Sequence, residues 1–162
     1  MVTVFISHSS KDKVIISQID EYLSSLSIRS IIIGYSIEGK PPMEKIREGI
    51  DKSQALLLVW TSNVADIQST RDIVNAEIGE AHHKRIPIFC MLKHGIDPPW
   101  FIPQITDYVR FYEHEIMGNL VRIRNQLIQM KKKEFLDDVI LGALIIGGII
   151  LLLKMLGGKQ KN

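Results

Sequence analysis

The chain has 162 residues, the length of one ordinary domain rather than two, and at 46% hydrophobic and 23% charged residues it is too apolar and too balanced to be disordered. Its formal net charge of +2 is unevenly divided, because Lys154, Lys159 and Lys161 lie in an acid-free stretch after residue 138 and leave the first 138 residues at net −1. A near-neutral body with no basic stripe is a poor electrostatic footprint for nucleic acid, and no nucleic-acid partner is expected.

The opening run Val2-Thr-Val-Phe-Ile-Ser7 predicts a first strand. It carries neither a basic n-region nor a cleavage-site pattern, so nothing in it directs the domain out of the cytoplasm. Ser9-Ser-Lys-Asp12 has the form of a capping box, opening a helix with Ile15, Ile19, Tyr22, Leu23 and Leu26 on one face. A second strand is predicted over Ile28–Ile33, ended by Gly34. The stretch Tyr35–Pro42 holds Gly39 and the pair Pro41-Pro42 and reads as an irregular loop. Met43, Ile46 and Ile50 share a face of a short helix. Ala55–Trp60 is apolar throughout, as a strand covered on both faces should be.

Thr61-Ser-Asn63 ends that strand, and a polar stretch leads to a helix from about Asp72 to Lys84. The fourth strand, Ile86–Leu92, contains Cys90, the only cysteine, which reads as a buried strand thiol of a protein from a reducing compartment. The five histidines lack cysteine partners and metal-site spacing. His82 and His83 point apart on a helix and read as surface residues, so no metal site is expected. Residues 94–103 must be irregular. Asp107–Tyr112 predicts a short fifth strand, and Ile116, Leu120, Ile123, Leu127 and Met130 mark one face of a final helix.

Strands alternating with helices predict a flavodoxin-like, doubly wound α/β domain with a five-stranded parallel sheet of order 2-1-3-4-5. The winding then reverses between strands one and three, opening a crevice at their carboxyl ends. Ser7-His8-Ser9-Ser10 and Thr61-Ser62-Asn63 line it. Small polar side chains and exposed N–H groups there suit hydroxyls and phosphates, although from spacing alone the same residues read first as caps and turns. No phosphate-loop, dinucleotide-fingerprint or nucleophile-elbow motif occurs. Strand three ends in Trp60-Thr61 instead of the carboxylates a receiver domain wants.

Residues 131–138 form a charged linker to a very apolar tail. Val139–Leu153 is an unbroken run of 15 apolar or glycine residues; Lys154 interrupts it and Met155-Leu156 continue it. From Val139 to Gly158 a helix would extend about 30 Å, enough to cross a hydrocarbon core. A buried core helix is the alternative, but no face is polar and so small a domain cannot wrap every side. A single C-terminal transmembrane helix over residues 139–156 is therefore predicted, with Lys154 snorkelling to the interface. Lys131-Lys-Lys133 suit a cytoplasmic flank, which puts the domain in the cytoplasm and the protein in the membrane.

Val4-Phe-Ile-Ser-His-Ser-Ser-Lys-Asp12 resembles the opening box of TIR domains (Toll/interleukin-1 receptor type), above all bacterial and archaeal members. Gly39-Lys-Pro-Pro42 falls where that family has its BB loop, and Ile46–Ser62 looks like its helix-strand-Ser segment. Ile73-Val-Asn-Ala-Glu-Ile-Gly-Glu-Ala81 resembles its W-V-x-x-E-x-x-x-A helix, followed by Ile86-Pro-Ile88 and Asp97-Pro-Pro99. The resemblance covers residues 1–130 in consistent order.

Many TIR domains of this type cleave the nicotinamide–ribose bond of NAD+, so the resemblance implies an NAD+ glycohydrolase or ADP-ribosyl cyclase in immune or antiviral signalling. NAD+ would be substrate, with no cofactor required. Glu77 matches the family's catalytic glutamate, which the resemblance sets on a helix rim, and His8, Ser9 and Ser10 would border the nucleotide. The resemblance further implies homo-oligomers through TIR–TIR contacts that include the Tyr35–Pro42 loop. Without the family, Glu77 reads as a solvated helix carboxylate. One position departs from the pattern: Ile73 stands where the family often has tryptophan, and Trp100, Tyr35 or Tyr108 would have to supply stacking on nicotinamide. The rival classes are a non-catalytic signalling adaptor and a membrane effector, each acting by homotypic assembly.

Overall fold

The structure, a computed structural model, describes residues 1–33 and 43–133. The chain divides into two units, residues 1–127 and 128–162, and of the second only 128–133 are described, with helical backbone. The loop Tyr35–Pro42 and the predicted membrane helix 139–156 lie outside the described residues. Among the described residues no helix is long and apolar enough to cross a membrane.

In the first unit the apolar runs pair as one parallel sheet: β1 (Thr3–Ser7), β2 (Arg29–Ile32), β3 (Ala55–Trp60), β4 (Ile88–Lys93) and β5 (Asp107–Phe111). Their order is β2-β1-β3-β4-β5, as the alternation of strands and helices predicts. Every residue of β1 and β3 is buried, which explains why these runs lack polar alternation. The connections are α1 (Lys13–Ser25), α2 (Met43–Asp51), the single turn α3 (Ser62–Ala65) and α4 (Gln68–His83). After β5 come α5 (Ile116–Asn119) and, past a turn at Leu120, helical backbone from residue 121.

Side chains alternate across each strand and feed two cores. On one face Phe5, Leu56, Leu58, Trp60, Ile88 and Cys90 pack with Ile46 and Ile50 of α2 and Val74, Ile78 and Ala81 of α4. α2 lies so close to the sheet that a Cβ on Gly49 would stand 2.8 Å from Cε2 of Phe5. Ile15, Ile16, Ile19 and Leu23 form the buried stripe of α1, and α1 also meets α5. Each such side chain contributes about 1.5–3 kcal/mol by leaving water.

Several local expectations are corrected. The capping box does not form: α1 starts at Lys13 with Asp12 at its N-cap, and no side chain caps it. The Asp12 carboxylate is drawn instead to the turn after β3. The polar stretch after Thr61 is helical, first as α3 and then as an α4 that begins at Gln68, four residues before the predicted start. Its first turn faces water, so it carries no apolar period to read. β4 begins at Ile88 instead of Ile86, because Pro87 has no N–H for a ladder bond, although its carbonyl accepts from Leu56 N at 2.9 Å.

Candidate active site

The predicted crevice falls where β1 and β3 end, and the polar side chains gathered there are mostly buried. Phe5 and Ser7 share the face of β1 that packs α2 and α4, so Ser7 points toward α4. On α4, Val74, Glu77, Ile78 and Ala81 recur at helical spacing as the inward stripe, and Glu77 is the one polar member. Ser7 Oγ donates to Glu77 Oε2 at 2.5 Å, joining residues 70 positions apart. Both side chains are 0% exposed. This corrects the expectation of a rim or solvated carboxylate: Glu77 lies inside the fold, where a carboxyl group requires hydrogen-bonding partners.

The β1–α1 loop is tightly organised. His8 and Ser9 are buried and Ser10 half-buried. His8 Nδ1 lies 2.8 Å from the carbonyl of Ser9 and donates its proton there, and Asp12 N donates to the same carbonyl at 3.0 Å. Lys11 N reaches Ser9 Oγ at 3.3 Å, so this hydroxyl serves the loop instead of the helix. Burial lowers the His8 pKa below its ordinary 6.5, against the opposing pull of the Ser9 carbonyl and the Asp12 charge, so the imidazole is neutral at pH 7.

Asp12 joins the β1–α1 loop to the turn after β3. Thr61 Oγ1 donates to its Oδ2 at 2.7 Å and Asn63 Nδ2 to its Oδ1 at 2.6 Å. Sequence reasoning placed Thr61 and Asn63 at the crevice but assigned Asp12 to a cap, and it missed the bond from Ser7 to Glu77. The β1 pattern, which turns Ser7 to the same face as Phe5, was the available signal.

Aromatic groups surround the end of β3 and the segment after β4. Trp60 Nε1 donates to the carbonyl of Asp97 at 3.0 Å and its ring meets Phe101 edge-on at 5.6 Å, which fastens the 94–103 segment to β3. Trp100 is 77% exposed and touches Phe101 edge-on, while Tyr108 is exposed on β5. Ile73 packs against the cluster that contains Trp60 and Phe101. Cys90 is buried in β4 with its thiol pushed up to about 12 by burial, which makes it a poor nucleophile. Among the described residues no group of three or more His, Cys, Asp or Glu side chains is placed to hold a metal ion.

A parallel sheet of order 2-1-3-4-5 with a buried polar cluster at the carboxyl ends of its central strands defines a doubly wound α/β domain of flavodoxin-like topology. The chain belongs to the TIR-domain family, whose model matches residues 4–121. Its fold is similar to the TIR domain of the Toll-related receptor TRR-2 from Hydra magnipapillata, with a TM-score of 0.55 and 15% identity over 76% of this chain and 96% of that one. A flavo di-iron protein from Thermotoga maritima is similar at a TM-score of 0.56 and 15% identity, over 78% of this chain but only 35% of that protein. At such identities the likeness is one of fold. No curated protein matches the sequence.

Proposed function

We propose that this chain is a membrane-anchored TIR-domain protein that cleaves NAD+ at the nicotinamide–ribose bond, as a glycohydrolase or ADP-ribosyl cyclase, in immune or antiviral signalling. The observation that carries the reading is Glu77. It occupies the glutamate position of the family's helix motif, and its carboxyl group meets Ser7 at the carboxyl end of the central strand β1. The chemistry needs one such group. Nicotinamide departs as a neutral molecule and needs no general acid, and the ribose becomes oxocarbenium-like, a charge that a carboxylate bonded to its hydroxyls stabilises. Water as acceptor yields ADP-ribose; attack by a second group of the nucleotide yields a cyclic product. His8, Ser9 and Ser10 border the nucleotide on this reading.

With Glu77 at 0% exposure, turnover requires the site to open so that a ribose hydroxyl replaces Ser7 on the carboxyl group. Assembly proceeds through TIR–TIR contacts that include the Tyr35–Pro42 loop, which docks against a neighbouring domain and helps complete the nucleotide site. The tail at 139–156 holds the domain on the cytoplasmic side of a lipid membrane and concentrates it for assembly. Partners are thus NAD+, further copies of the chain and lipid.

A non-catalytic adaptor is the second reading, favoured by Ile73 in place of the motif tryptophan and by the complete burial of Glu77. A decisive experiment incubates the full chain, reconstituted in nanodiscs at high protein density, with NAD+ and identifies products by mass. The enzyme reading expects free nicotinamide with linear or cyclic ADP-ribose, lost in Glu77→Gln. Intact NAD+ with the assembled wild type would leave the adaptor.

A further inference from the structure

Asp12 is unusual in what it declines to do. An aspartate at an N-cap ordinarily accepts from the N–H groups of its own first turn. Here no side chain caps α1, and both carboxylate oxygens are used elsewhere, by Thr61 Oγ1 at 2.7 Å and Asn63 Nδ2 at 2.6 Å. Asp12 is 5% exposed and Thr61 1%, so the Thr61 bond is shielded from water, while the Asn63 bond is part-buried. The β1–β3 ladder has its last pair at Ser7 and Leu58, so the loops that follow these strands are not joined through it. The carboxylate ties them together.

The tie continues into the candidate site. Asp12 N donates to the Ser9 carbonyl at 3.0 Å, and the same carbonyl receives His8 Nδ1 at 2.8 Å. Ser7, the residue before His8, carries the bond to Glu77. A displacement of Asp12 therefore moves the loop that holds His8, Ser9 and Ser10.

We propose that Asp12 is a positioning residue for NAD+ binding: by fastening the β1–α1 loop to Thr61 and Asn63 it holds the nucleotide-bordering residues 8–10 in their binding arrangement. This rests on the NAD+-cleaving reading above. Asp12 acts through its bonds to Thr61, Asn63 and the Ser9 carbonyl. Its loss loosens the site for the nucleotide while leaving Glu77 and its Ser7 partner in place, so the effect falls on KM.

The test measures NAD+ cleavage by the full chain in nanodiscs, as wild type, Asp12→Ala, Asp12→Asn and Thr61→Val, with thermal melts of each. Asp12→Ala is expected to raise KM by roughly tenfold or more, the scale of a buried charge-assisted bond, and to change kcat by less than about threefold. Thr61→Val, which keeps the shape and removes one donor, should raise KM in the same direction by less. Asp12→Asn keeps an oxygen that accepts from Asn63 Nδ2 and turns its NH2 to Thr61 Oγ1, a hydroxyl that can also accept, so it should return KM to within about threefold of wild type. If Asp12→Ala fails to fold, Thr61→Val decides. An unchanged KM in folded variants overturns the assignment, as does a fall in kcat at constant KM that tracks only the loss of melting temperature. A wild type that releases no nicotinamide overturns the NAD+ reading and this role with it, whereas an active wild type with unaffected variants overturns this role alone.

Discussion

Replacing Glu77 by Gln tests fold and chemistry in one variant. The amide keeps an oxygen that accepts from Ser7 Oγ, but it brings an NH2 group with two hydrogens into a position that is 0% exposed. A buried donor without an acceptor costs about 1–3 kcal/mol. For a unit of this size that loss lowers the unfolding midpoint by roughly 3–12 °C, leaving the variant folded at room temperature. Urea unfolding of wild type, Glu77→Gln, Glu77→Ala, Ser7→Ala and the Glu77→Ala/Ser7→Ala double variant, followed by circular dichroism, completes a cycle in which each alanine removes the bond. The coupling between the two side chains is expected at about 0.5–3 kcal/mol, as for residues in direct contact. The same samples are assayed for nicotinamide release. Alanine variants that show no coupling between positions 7 and 77 refute the buried bond. Undiminished turnover in a stable Gln variant refutes the catalytic assignment.

Three further outcomes are expected. Burial holds the folded-state pKa of His8 below the ordinary 6.5, so the unfolded chain takes up this proton first; its stabilising contribution is complete above pH 6.5 and lost as pH falls from there toward the folded value. Urea midpoints between pH 5 and 8 should show that slope in wild type and lose it in His8→Asn, and an identical slope in both would show that another group titrates. Gly49→Ala should destabilise, because its Cβ would stand 2.8 Å and 3.0 Å from the buried Phe5 ring and 3.2 Å from Ile31 Cγ2. Overpacking of about 1–3 kcal/mol outweighs a helix-propensity gain of about 1 kcal/mol, and a raised urea midpoint would contradict that close approach. For the anchor, the full chain should float with liposomes and a chain ended at residue 133 should not; a full chain that stays in the aqueous fraction without detergent refutes the transmembrane helix.

Much of this protein was legible as local pattern. Ala55–Trp60 is apolar at every position and became a fully buried central strand, and the alternation of such runs with helical periods carried the sheet order. These signals lie in short windows, because which face of an element is buried depends on side-chain spacing alone. The motif around Glu77 marked the family and the position of a candidate site. It did not show that this glutamate belongs to the buried stripe of α4 beside Val74, Ile78 and Ala81.

The destinations of the polar side chains were decided by the tertiary structure. Asp12 reads as part of a capping box because its neighbours in sequence offer one; its actual partners, Thr61 and Asn63, lie 49 and 51 positions away. Glu77 finds Ser7 across 70 positions. A carboxyl group bonds whichever donors the fold brings near it once water is excluded, and the chain's crossovers choose those donors. Strands and helices can be read from the residues within them, whereas the bonds that join β1, β3 and α4 exist only after the sheet has assembled.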